Sequence, residues 1–166
     1  MKIANSLLLS GLLLGLAGPA LFPQDIPEID SREAYKMITG NPAFRLVDVR
    51  CIAEYYFVGH PEMAANVPLT FWDEKAQTLV KNERFIEYLK ARYKPQETLV
   101  FICRSGGRSR QAARLAREAG YSSVYSVKDG FEGEKDARGH RTVGGWKNSG
   151  LPYTYDVGKD LMYKWP

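Results

Sequence analysis

The chain has 166 residues, 45% of them hydrophobic and 25% charged, with 23 Lys+Arg against 19 Asp+Glu and a net charge of +4. That length and composition give one domain with a full core and exclude a disordered or repeat-built chain. The charge is too mild and too mixed to argue for nucleic acid, but it suits small anionic ligands.

Lys2, the apolar run from Leu7 to Leu16 and the small residues Gly18-Pro19-Ala20 read as a signal peptide over 1–20, cut after Ala20. Residues 21–166 then form the single domain. An uncleaved membrane anchor is the alternative, but the run sits at the short end of the ~17–25 residues a spanning helix needs. No cysteine lies near the junction to make a lipoprotein. The expectation is a periplasmic or secreted protein with no stable membrane insertion after cleavage.

Pro23 to Pro27 reads as an extended lead-in. Asp30 then caps a short helix, with Glu33 at the capping-box position and Gly40-Asn41-Pro42 closing it. Arg45 to Val49 is the first strong strand. Glu54 to Val58 makes a short helix whose Tyr55, Tyr56 and Phe57 are expected in the core. Val67-Pro68-Leu69 is a brief strand or extended turn, and the pattern from Phe71 to Asn82 is irregular. Phe85, Ile86, Leu89 and Tyr93 mark an amphipathic helix that Pro95 ends.

Thr98 to Ile102 is a buried central strand, followed directly by Cys103-Arg104-Ser105-Gly106-Gly107-Arg108. Ala112, Leu115, Ala116 and Ala119 continue as one helix face that Gly120 ends. Ser123 to Val127 is the last strand. Short strands alternating with helices predict an α/β, three-layer domain, with a central parallel sheet of about five strands and helices on both faces. Ligands in such sheets sit beyond the carboxyl ends of the strands, which puts Arg50 and Cys103 on one functional edge.

A strand–loop–helix turn around Cys103 gathers backbone N–H groups and a positive helix end around the sulfur. Such a cradle holds an anion: a thiolate, a persulfide or the oxyanion of a substrate. Gly106 and Gly107 allow the turn and the close approach, and Arg104, Ser105 and Arg108 complete a substrate-binding loop. Arg108 has a second reading, in which it points back to fix the loop. Asp48, Arg50 and Glu54 are supports, with Arg50 and Glu54 spaced to pair.

At these residues the chain resembles the rhodanese family. The loop at Cys103 is one of three blocks that carry the likeness. The others are Leu46-Val47-Asp48-Val49-Arg50 with Glu54-Tyr55, Gly59-His60 and Ala65-Asn66-Val67-Pro68, and then Gly144 to Pro152. The resemblance implies a sulfurtransferase in which Cys103 takes a sulfane sulfur as a persulfide. It implies a small sulfur-containing anion as donor and a thiol, cyanide-like or protein acceptor. A periplasmic carrier delivering polysulfide sulfur to a redox enzyme is the alternative. A phosphatase or arsenate reductase of similar fold is remote, because those loops place arginine one position later, where this chain has Ser109.

No metal and no organic cofactor is expected, since His60 and His140 lack clustered partners and no P-loop occurs. Cys51 is either a packing residue at a helix start or, less simply, the partner of Cys103 in a disulfide. The polar insertion from Phe131 to Val143 is either an overhang of the site or a solvated loop. The aromatic tail, with Tyr153, Tyr155, Tyr163 and Trp165, is a strap on the domain or the interface of a homodimer.

Overall fold

The computed structural model describes residues 25–164, so the signal peptide expected over 1–20 and Trp165 lie outside the described residues. In chain order the elements are β1 (Glu28–Ile29), α1 (Ser31–Gly40), β2 (Phe44–Asp48), α2 (Ile52–Phe57), β3 (His60–Pro61) and β4 (Ala65–Asn66). They continue with β5 (Thr70–Asp73), β6 (Thr78–Lys81), α3 (Phe85–Arg92), β7 (Thr98–Ile102) and α4 (Gly107–Glu118). The last are β8 (Val124–Val127), β9 (Glu134–Lys135), β10 (Arg141–Val143) and β11 (Tyr153–Thr154).

The central sheet runs β1-β8-β7-β2-β4, every pair parallel. Leu99 to Ile102 of β7 are all buried. A strand covered on both faces has no polar side to show, so its sequence is a continuous apolar run rather than an alternation. Val47, Val49, Leu99 and Phe101 pack on one face with Phe85 and Leu89 of α3 and Ala112, Ala113 and Ala116 of α4. Leu46, Val100 and Ile102 pack on the other with Ala34 of α1, Phe131 and Trp146. The three-layer α/β arrangement follows from these two cores.

Local chemistry sets the ends. Asp30 caps α1 by accepting the Glu33 N–H at 2.8 Å. Helix α2 begins at Ile52, two residues earlier than its apolar pattern indicates, because the Glu54 carboxylate accepts the Cys51 N–H at 3.2 Å and draws the cap back. The aromatic cluster does not go to the core as a unit. Tyr55 is buried, whereas Phe57 is 84% exposed. Two helical positions turn a side chain by roughly 200°, which sends Phe57 to the opposite face.

The irregular segment 71–82 is in fact an antiparallel hairpin, β5 against β6, with Trp72 opposite Leu79. All four residues of β6 are exposed, so burial imposes no period-2 pattern for the sequence to display. The edge strand of the sheet, β4, lies at Ala65–Asn66, and Val67 to Leu69 runs on from it as an extended turn. The insertion after Phe131 forms a second hairpin, β9 against β10. The tail is a strap: Tyr153 pairs with Pro61 across β11 and β3, and Tyr163 packs edge-on to Tyr88 at 5.0 Å. No helix among the described residues is long and apolar enough to cross a membrane.

Candidate active site

Strands β2 and β7 end side by side, with Asp48 in register with Ile102, and the Val49 N–H closes the edge on the Ile102 carbonyl at 2.9 Å. Cys103 is the next residue, only 1% exposed, at the floor of the loop. The loop is anchored from behind. The Cys103 carbonyl accepts the Phe131 N–H at 2.7 Å and the Arg104 carbonyl accepts the Glu132 N–H at 3.0 Å. Gly106 then turns the chain at φ 94° into α4. The first N–H groups of that helix have no intrahelical acceptor, as at any helix start, and this makes the loop a place for negative charge.

The two glycines are not equivalent. A Cβ at Gly106 would overlap the Lys128 carbonyl oxygen, and its positive φ disfavours any other residue. At Gly107 a Cβ would meet nothing within 4 Å, so close approach does not require that glycine. We therefore expect Gly106→Ala to destabilise the fold by about 2 kcal/mol or more, with Gly107→Ala within about 1 kcal/mol of wild type, as read by urea denaturation. A third glycine serves the loop from outside: a Cβ at Gly130 would lie 2.6 Å from the carbonyl oxygens of Cys103 and Arg104.

Beneath the sulfur is a buried hydroxyl chain. Ser109 Oγ lies 3.6 Å from Cys103 Sγ, accepts from Ser126 Oγ at 3.0 Å and donates to the Gly106 carbonyl at 2.7 Å. Ser109 thus fixes the distance between β7, α4 and β8 at the sulfur. A serine after an arginine carries no signal of this part in the sequence until the strands are placed.

The supports pair differently from the sequence expectation. Arg50 does not reach Glu54. It precedes the helix cap, where the i,i+4 geometry does not yet exist, and it folds back along its strand. Its Nε and Nη2 donate to the Asp48 carboxylate at 2.6–3.1 Å, and Nη2 also donates to the Gly59 carbonyl at 2.7 Å. The guanidinium lies 4.4 Å from the Phe131 ring centroid, and both partners are fully buried. Burial opposes its charge, but Asp48, with Glu54 and Glu132 beyond, outweighs that and raises the Arg50 pKa.

Glu54 instead takes Arg108. The Arg108 Nη1 and Nη2 donate to its two carboxylate oxygens, each at 2.6 Å. Desolvation works against the Glu54 charge, yet Arg108 prevails and holds this carboxyl down at about 2. Arg108 is therefore a clasp between α2 and α4, which is the second of its two sequence readings. Arg104 is exposed and Ser105 half-buried on the loop itself.

Cys51 and Cys103 are both free thiols. Burial pushes the Cys51 thiol up, which fits a protonated packing residue. His60 is buried, stacked on Tyr55 with ring centroids 3.7 Å apart, and burial lowers its pKa. Asp129, in the turn that follows β8, is a hub at the same edge. Its carboxylate accepts from the Ser31 N–H and hydroxyl and from the Gly145 N–H, at 2.8–2.9 Å. Two larger grooves, of about 440 and 490 Å³, lie beside Arg92 and Asp160 with no loop residue in their walls.

Comparison with known proteins agrees with this geometry. The Rhodanese-like domain model matches residues 30–137. An uncharacterized protein of Rickettsia prowazekii, RP600, is 33% identical over 132 residues, covering 78% of this chain and 98% of its own length. The crystal structure of Rv0390 from M. tuberculosis superposes with a TM-score of 0.69 at 39% identity, over 78% of this chain and 98% of that one. The polysulfide-sulfur transferase homodimer of Wolinella succinogenes shares the fold, with a TM-score of 0.54, 21% identity and 78% of each chain covered. With its loop, its paired supports and its five-stranded parallel sheet, the chain belongs to the rhodanese-like domain family.

Proposed function

We propose that the protein is a sulfurtransferase of the periplasm that works through a persulfide on Cys103. The observation that carries this reading is the single thiol at the carboxyl end of the central strand, ringed by the start of α4 and by the exposed Arg104. With thiosulfate as donor, the Cys103 thiolate attacks the outer sulfur. A new S–S bond forms, the donor's S–S bond breaks, and its electron pair leaves with sulfite. The product is a persulfide anion, whose charge the loop N–H groups receive. A nucleophilic acceptor then attacks that outer sulfur, and the electron pair of the broken bond returns to Cys103.

Arg104 is assigned to the sulfonate of the donor, because Arg108 is already held by Glu54. Removing one charge-assisted contact is expected to raise the thiosulfate concentration for half-maximal loading about tenfold in Arg104→Gln. The experiment is intact mass spectrometry after thiosulfate or polysulfide. A gain of one sulfur atom that cyanide discharges, absent in Cys103→Ser, supports the reading. No gain from either donor with Cys103 reduced overturns it. The donor that loads faster separates a thiosulfate enzyme from a polysulfide carrier.

A further inference from the structure

Cys103 and the two serines beneath it are shut off from water, the sulfur's residue at 1% exposure and Ser109 and Ser126 at 0%. With the thiol protonated, the hydroxyl between them is fully used. The Cys103 S–H donates to Ser109 Oγ at 3.6 Å, and Ser126 Oγ donates to the same oxygen at 3.0 Å. The Ser109 hydrogen goes to the Gly106 carbonyl at 2.7 Å. A hydroxyl has two lone pairs and one hydrogen, so Ser109 is at capacity.

Loss of the sulfur's proton changes what this arrangement can hold. The thiolate is an acceptor only, so a Ser109 lone pair would face a buried negative charge. One rotation about the Ser109 Cβ–Oγ bond removes the conflict, by turning the hydroxyl hydrogen from Gly106 to the sulfur. No group loses its last partner, because the Gly106 carbonyl keeps the Arg110 N–H at 3.1 Å. Ser126 still donates to the Ser109 oxygen, which polarises the hydroxyl that points at the charge.

From this we infer that Ser109 is a two-position hydrogen-bond donor, which turns to the empty Cys103 thiolate and away from the persulfide, and so favours discharge. The inference rests on the sulfurtransferase reading for its cargo, but not for the action of the hydroxyl on a thiolate. Loading moves the negative charge to the added sulfur, about 2 Å beyond the Cys103 sulfur, where the loop N–H groups receive it. The inner sulfur is then neutral, and the hydroxyl returns to Gly106. In discharge by cyanide, the carbon bonds to the outer sulfur and the bond to Cys103 breaks. Its electron pair stays on Cys103, and thiocyanate departs. Ser109 stabilises the charge that returns to Cys103 in that transition state, and no proton moves from it.

The sign of the effect separates this role from spacing. The protein is equilibrated with fixed concentrations of thiosulfate and sulfite in mildly alkaline buffer, and the ratio of loaded to empty Cys103 is read by intact mass. Ser109→Ala is expected to raise that ratio about tenfold, for loss of one charge-assisted hydrogen bond to the empty thiolate, and to slow discharge by cyanide. A serine that only sets the distance between β7, α4 and β8 would lower loading when removed. Ser109→Thr, which keeps the hydroxyl, is expected to return towards wild type. Ser126→Ala is expected to shift the ratio in the same direction by less, and it replaces any variant whose thermal unfolding shows that it does not fold. A second arm needs no sulfur transfer. Methyl methanethiosulfonate caps the empty Cys103 as a methyl disulfide, with methanesulfinate as leaving group. Dithiothreitol then attacks the outer sulfur of the cap, and the electron pair of the broken bond returns to Cys103. Release, followed at Cys103 by peptide mass, is expected to be slower in Ser109→Ala. A loaded ratio unchanged or lowered in folded Ser109→Ala, or equal release of the cap, overturns the inference. Slower release of the cap in a protein whose Cys103 never loads keeps the part played by Ser109 and removes the sulfurtransferase reading alone.

Discussion

Asp48→Ala is expected to lower the unfolding free energy by about 3–5 kcal/mol, because it strands a fully buried guanidinium without its paired carboxylate. In a domain of this size that lowers the melting temperature by about 10 °C or more. The loss exceeds what one hydrogen bond is worth, since the penalty comes from the partner left behind and not from the contact removed. The double substitution Asp48→Leu/Arg50→Met discriminates between the two accounts. If burial of an unpaired charge is the cause, the double variant recovers most of the stability that Asp48→Ala loses. A double variant as unstable as the single one would mean that the pair's own attraction, together with the Arg50 bond to the Gly59 carbonyl, holds the edge.

Glu54→Gln is expected to remove a large part of the acid-sensitive stability. The Glu54 carboxyl is about 4.5 when free and about 2 in the fold, where Arg108 outweighs the desolvation that opposes its charge. A carboxyl lowered on folding stabilises the protein fully above its unfolded value, and the contribution fades as pH falls towards the folded one. The gap corresponds to a contribution on the order of 3 kcal/mol, lost between about pH 4.5 and pH 2. Urea midpoints measured across that window should fall steeply in wild type and flatten in Glu54→Gln. Wild-type and variant curves that stay parallel would show that the clasp to Arg108 contributes little.

The parts legible in the sequence are those in which chemistry and chain are local. Cys103 to Arg108 follows a strand and opens a helix within a few residues, so the cradle can be read without knowing what lies opposite. The continuous apolar run of β7 and the cap at Asp30 are legible for the same reason. Pairings across the fold are not. Arg50 and Glu54 were spaced as partners, yet each finds a better one, Asp48 along the strand and Arg108 from another helix. Ser109 and Asp129 are small polar residues of unremarkable spacing. Their importance arises only where β7, β8, α1 and α4 converge. The β5–β6 hairpin is illegible in the sequence because the exposed β6 leaves no apolar alternation.

The depth of Cys103 in its loop has a consequence for how a partner distinguishes a full molecule from an empty one. In the empty state the sulfur is all but closed off from solvent. Adding one sulfur atom extends the reactive tip by about 2 Å, the length of an S–S bond. On the persulfide reading, the cargo is then the part of the thiol that lies nearest to a visitor. Occupancy advertises itself, and delivery erases the advertisement. An acceptor needs no conformational signal to know when to leave.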